Sequence, residues 1–183
     1  MDMMIAAAGL LGLAPGECRT LFDLGERGEF SRWQVVNDGV MGGRSRGGIA
    51  PLGQAMGFSG RINTDGGGFS SIQRPLASGS LAGAGRLRIV MKADARAYQL
   101  SMRSDTRFYG RSVAYRADLN PVGAGEWKVA SVDLGALEPS VFGRKVPARP
   151  FDPAAAESLG FILADGQDGD FAMQIRKVEA CAA

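Results

Sequence analysis

The sequence contains no histidine, and that absence excludes more than any residue present. Without imidazole the chain lacks the usual general base at neutral pH, the Ser-His and Cys-His nucleophile pairs and the commonest metal ligand. Cysteine is nearly missing too: Cys18 and Cys181 are the only two, so there is no CxxC redox pair and no zinc cluster. An excess of either charge is lacking. With 21 Lys and Arg against 19 Asp and Glu the net charge is +2, too small to draw nucleic acid or anionic lipid to the whole surface. Long apolar runs are scarce. Met3 to Ala14 has the length of a signal-peptide core but is too short to span a bilayer. Asp2 stands where a signal peptide carries positive charge, and Pro15 follows the small-residue cleavage position Ala14. Residues 1–19 are therefore expected to be a loosely held or docking segment of a cytoplasmic protein, with an exported form as the alternative.

What is present describes one globular domain over residues 20–180, without repeat or linker. Hydrophobic residues make up 45% of 183 and charged residues 22%, ordinary for such a domain. Glycine is the outlier: 27 residues, dispersed between short apolar runs, imply many tight turns.

Those runs alternate with period two. Met56, Phe58, Gly60 and Ile62 share one face while Gly57, Ser59 and Arg61 share the other. Leu87, Ile89 and Met91 alternate with Arg88, Val90 and Lys92; Tyr98, Leu100 and Met102 with Gln99, Ser101 and Arg103; Val113 and Tyr115 with Ala114 and Arg116. Trp127 and Val129 share a parity opposite to Val132 and Leu134, which predicts a bulge or a strand end between them. Leu159, Phe161, Leu163 and Phe171, Met173, Ile175 form two apolar rows, expected to pair as a hairpin through the Asp165–Asp170 turn. Only Asp152–Leu159 reads as a short helix, with Asp152 as N-cap, Pro153 at the first position and alanines following. About nine to eleven strands without alternating helices predict an all-β fold, a two-sheet antiparallel sandwich of jelly-roll type. If its first and last strands lie side by side, Cys18 and Cys181 can bridge; a cytosolic chain would keep both reduced, and the sequence leaves this open.

Two glycine-rich blocks stand out, Trp33-Gln-Val-Val-Asn-Asp-Gly-Val-Met-Gly-Gly-Arg-Ser45 and Gly66-Gly67-Gly68-Phe69-Ser70-Ser71-Ile72. Asn37 and Asp38 can accept hydrogen bonds from nearby amides, while Gly39, Gly42 and Gly43 permit close approach or positive φ. Val40 and Met41 either plug the sandwich end or project as a soft apolar tip; the inward plug is expected, and Trp33 and Phe69 are expected to anchor the core. Asn37, Asp38, Arg44, Ser45 and Ser71 are expected to line a shallow polar patch that, with Gly67 and Gly68, recognises a protein segment or a glycan.

These blocks, with Phe58-Ser59-Gly60 between them and Gly143-Arg144-Lys145-Val146, Leu159-Gly160-Phe161 and Asp168-Gly169-Asp170-Phe171 after them, resemble the signature of the complex I intermediate-associated protein 30 family over about residues 20–180. The chain departs from the family pattern between Val132 and Phe142. The resemblance implies a galactose-binding-like β-sandwich and, as in the mitochondrial members, a chaperone role in assembling respiratory complex I. The expected partner is thus a protein, with a respiratory-chain subunit as the candidate the resemblance implies and carbohydrate binding as the alternative.

Three further readings carry less. Arg103, Arg107, Arg111 and Arg116, interleaved with Phe108, Tyr109 and Tyr115, could stack single-stranded nucleic acid, but a solvated strand face accounts for them and nucleic acid is not expected. Asp165, Asp168 and Asp170 could ligate calcium, yet they do not match EF-hand spacing and read first as an acidic turn. No cofactor or catalytic constellation is expected, since the glycines form neither GxGxxG nor a P-loop.

Overall fold

The computed structural model describes residues 15–119 and 124–183. The apolar Met3–Ala14 segment lies outside them, and β1 already begins at Cys18. Among the described residues thirteen strands form two antiparallel sheets. The smaller sheet runs β3 (Arg46–Leu52), β4 (Ala55–Ile62), β13 (Gly169–Ala182), β6 (Ala84–Ala93), β9 (Lys128–Asp133), with β1 (Cys18–Asp23) also paired to β13. The larger runs β11 (Arg144–Lys145), β10 (Glu138–Val141), β8 (Arg111–Asp118), β7 (Tyr98–Phe108), β12 (Ala156–Leu163), β5 (Ser70–Pro75), β2 (Gln34–Asn37). No helix among the described residues is long and apolar enough to cross a membrane.

The alternation read from the sequence becomes the core. Met56, Phe58, Leu87, Ile89, Met91, Met173 and Ile175 point inward from one sheet, and Leu100, Met102, Tyr115, Leu159, Phe161 and Leu163 from the other, all with 0–1% exposure. Each such side chain contributes about 1.5–3 kcal/mol by leaving water. Trp33 closes one part of this core, edge-on to Phe22 at 5.8 Å and stacked on Phe161 at 5.9 Å.

Three local expectations are corrected. The helix at Asp152–Leu159 is only a single 3-10 turn, Pro153–Ala155. Asp152 does cap it, accepting from the Ala154 amide at 2.9 Å, but Ala156–Leu163 is β12, paired on one edge with β7 and on the other with β5. Burial of Leu159, Phe161 and Leu163 between two partner strands outweighs the helical preference of the alanines. The hairpin between the two C-terminal rows does not form. β12 and β13 belong to opposite sheets, so the turn between them carries the chain across the sandwich and the two rows meet face to face. Finally, β9 runs unbroken through Lys128–Asp133 with neither a bulge nor a strand end between Val129 and Val132: Ala130 and Val132 face the core, while Val129 is exposed. Trp127 is half-buried outside, with Lys92 at 5.3 Å and Arg176 at 4.2 Å from its ring.

β1 lies along the second half of β13, with Cys18 directly opposite Cys181, and the two sulfurs are bridged. The possibility left open by the sequence is thus realised here.

Candidate functional site

The first glycine block leaves β2 at Asn37 and turns through a 3-10 segment, Asp38–Met41, before β3. Asp38 has no exposed surface. Its carboxylate accepts from the Ser45 amide (2.9 Å), the Ser45 hydroxyl (2.6 Å), the Gly68 amide (2.6 Å) and the Phe69 amide (3.3 Å). Burial pushes its carboxyl pKa up, but the Ser45 hydroxyl together with the Gly68, Ser45 and Phe69 amides outweighs that and holds it below the usual carboxylate value. A Cβ on Gly43 or on Gly67 would strike this carboxylate, which explains both glycines, and Gly42 at φ +88° ends the turn in the left-handed region.

Asn37 works beside it as a second clamp. Its amide nitrogen donates to the Gly47 carbonyl (3.1 Å), and its oxygen accepts from the Gly47 amide (3.0 Å) and the Ser70 hydroxyl (2.6 Å). The two side chains therefore tie β2, β3 and β5 together.

The polar patch expected from the sequence is mostly this internal network. Asp38 and Ser45 are buried, Asn37 is half-buried, and the Ser71 hydroxyl is spent on the Val36 carbonyl at 3.1 Å. Arg44 alone of that set is exposed, paired with Asp65 at 3.0 Å. What the loop presents is its apolar tip: Val40 is 76% and Met41 65% exposed, beside Gly39 and Gly42. The inward plug is thus overturned, because Asp38 and its amide donors already fill the space beneath the turn. Phe69 is half-buried rather than a core anchor, whereas Trp33 is one.

The acidic turn is engaged throughout. Arg96 donates to both Asp165 oxygens at 2.7 Å and to the Gln167, Gly169 and Asp170 carbonyls, so one guanidinium shapes the whole crossover. The Asp165 carboxyl is held below its usual value first by that Arg96 hydrogen bond. Asp168 accepts from the Thr64 amide (2.6 Å) and hydroxyl (2.9 Å), and Asp170 pairs with Arg61 at 2.9 Å. The three carboxylates thus serve separate partners, and the described residues contain no group of three or more acidic or cysteine side chains that could hold a metal ion.

The arginine series also resolves. Tyr115 is fully buried, its hydroxyl donating to the Arg149 carbonyl at 2.8 Å, so no continuous stacking ladder exists. Arg103 and Arg116, however, share the outer face of the larger sheet on adjacent strands, as the register of Arg103 with Ala114 and of Ser101 with Arg116 requires. Parity along a single strand hides this neighbourhood; only the β7–β8 register reveals it. A cleft of about 370 Å³ opens beside Arg116, bordered by Gln99, Asp118, Glu138 and Lys145.

Known structures share this architecture. A family 11 carbohydrate-binding module from Clostridium thermocellum, solved with a β-1,3-1,4-mixed-linked tetrasaccharide, superposes with a TM-score of 0.66 at 16% identity, over 93% of this chain and 98% of that one. The family 11 module of a cellulosomal cellulase from Clostridium thermocellum gives 0.67 at 16% identity, over 93% and 97%. An agarase superposes with a TM-score of 0.59 at 10% identity, over 92% of this chain and 25% of the enzyme. At these identities the likeness is one of fold. No curated protein matches the sequence significantly. The sequence profile of one family does, over residues 22–175, and it spans both glycine blocks, the Asn37–Asp38 clamp and most of both sheets. The chain belongs to the Complex I intermediate-associated protein 30 family.

Proposed function

We propose that this chain is a non-catalytic protein-binding domain that assists assembly of a respiratory NADH dehydrogenase complex, gripping its client through the tip of the first glycine block. The observation that carries this reading is the exposure of Val40 and Met41 on a turn whose base is pinned by four hydrogen bonds to Asp38. A soft apolar pair on a rigid base binds with little ordering cost. Family membership supports the choice of client.

The test is affinity capture from a membrane extract of the native cell with wild-type protein and a Val40→Ser, Met41→Ser double variant. Enrichment of NADH dehydrogenase subunits by wild type, reduced about tenfold or more by the variant, is expected. Equal enrichment by both proteins would remove the tip from the reading, and no enrichment by either would remove the client.

A second reading, carbohydrate binding, is favoured by the polar outer face of the larger sheet and by the carbohydrate-binding modules that share the fold, a fold-level analogy. The Cys18–Cys181 bridge gives a test of the compartment. Reducing cytosol keeps such thiols free, so a bridged population in protein taken from its own cell would put the domain outside the expected cytoplasm, and two alkylatable thiols would keep it there.

A further inference from the structure

The register of the larger sheet lines up Glu138, Arg116, Ser101, Gly160, Gln73 and Gln34 in one row across six strands. The row lies on the outer face, because the neighbouring Leu100, Met102, Leu159 and Phe161 point into the core. At ordinary strand spacing it is about 24 Å long. It contains amides, a hydroxyl, a guanidinium and, at the Glu138 end, a carboxylate, and no aromatic ring.

Arg116 is the anomaly in this row. Its Nε–H is buried without an acceptor. Its cross-strand neighbour Glu138 is drawn away to Lys145 at 2.6 Å. Arg103, diagonal to it on β7, donates to the Ser112 hydroxyl at 3.2 Å, and the nearby Glu157 pairs with Arg107 at 3.6 Å. Among the described residues neither Arg103 nor Arg116 has a carboxylate within ion-pair distance. Burial, and then the neighbouring guanidinium, lowers the pKa of each from the usual arginine value: Arg107 acts on Arg103, and Arg103 on Arg116. Both still carry their charge. Two adjacent, partly desolvated cations with a free donor are an arrangement completed by an anion, and the planar fork of a guanidinium matches a carboxylate.

The surroundings choose among anions. Asp118, Glu138 and Glu157 border the arginines, so the local field is mixed and unsuited to a polyphosphate. The row offers no ring on which a neutral sugar could stack, whereas Ser101, Gln73 and Gln34 present donors and acceptors suited to hydroxyls. The cleft of about 370 Å³ touches this row only at Arg116 and Glu138 and extends toward Lys145, so Arg103, Ser101, Gln73 and Gln34 lie on the open sheet face beside it.

We infer that the outer face of the larger sheet binds an acidic oligosaccharide, with a uronate carboxylate held between Arg103 and Arg116 and the sugar hydroxyls lying along Ser101, Gln73 and Gln34. The inference rests on the carbohydrate reading above and narrows it to a charged class; it is independent of the Val40–Met41 tip.

Calorimetry on the whole protein tests it, with oligogalacturonate and alginate oligomers, their methyl-esterified forms, neutral β-glucan oligomers and polyglutamate as ligands. Binding of at least one uronate oligomer is expected, with weakening of about tenfold or more on esterification and in Arg103→Gln and Arg116→Gln. Because the Arg116 side chain makes no hydrogen bond among the described residues, Arg116→Gln should melt at or above the wild-type temperature. A measurement without variants adds a check: the uronate oligomer should shield Arg103 and Arg116 of wild type from an arginine-specific dicarbonyl reagent. No uronate binding, or uronate binding unaffected by either substitution and without shielding, would overturn the inference. Neutral glucan binding that persists in both variants would keep the carbohydrate reading and discard the acidic ligand. Equal binding of polyglutamate would make the site one for acidic peptides and overturn it as well.

Discussion

Asp38 shows how one side chain can set the character of a whole loop. It is a buried carboxylate whose stability depends on donors from two glycine blocks, and its surroundings require glycine at positions 43 and 67. Asp38→Ala should cost on the order of 3 kcal/mol, because it leaves the Ser45, Gly68 and Phe69 amides without their acceptor, and urea denaturation would measure the loss. The same residue predicts acid sensitivity. Its folded pKa lies below the ordinary carboxylate value of 3.8, so the unfolded chain binds more protons in the interval between the two values. The stabilisation is therefore fully present above about pH 4 and is lost as pH falls through the folded value. The stability gap between wild type and Asp38→Asn should accordingly narrow in acid. The residues of this cluster were legible as a loop that bonds its own amides. That Asp38 would be interior, and Val40 and Met41 exterior, was not, because the donors at Gly68 and Phe69 lie some thirty positions away along the chain.

At the scale of elements, the inward rows of β4, β6, β7, β8 and β13 could be read from alternation alone, since each strand has one buried face. The partners of those rows could not be read that way. β12 looked helical from its alanines and looked like a hairpin partner of β13 from its spacing, yet it sits between β5 and β7. The crossover that separates β12 from β13 depends on Arg96, whose pair with Asp165 leaves only 13% and 3% of the two side chains exposed. Removing one partner of so buried a pair strands the other. Arg96→Ala is expected to cost about 3–5 kcal/mol and to raise amide exchange across residues 164–170. Arg61→Ala, which breaks the exposed pair with Asp170 in the same turn, should cost less than about 1 kcal/mol. Comparing the two in urea separates a structural clamp from a surface contact.

Across the whole molecule the smaller sheet is organised on β13, which pairs with β4 and β1 along one edge and β6 along the other. The bridge between Cys18 and Cys181 closes a separation of 163 residues, so it restrains nearly the whole unfolded chain. Reduction, or a Cys18→Ser, Cys181→Ser double variant, should cost about 2–5 kcal/mol and lower Tm by roughly 10 °C in a calorimetric scan. The bridge also governs how the domain bears load. Tension applied between β1 and the end of β13 runs through a covalent link, so the rest of the sandwich is shielded from it. Once the thiols are free, the same pull would peel β1 away rung by rung, and a force trace would change from inextensible to a stepwise lengthening under reductant.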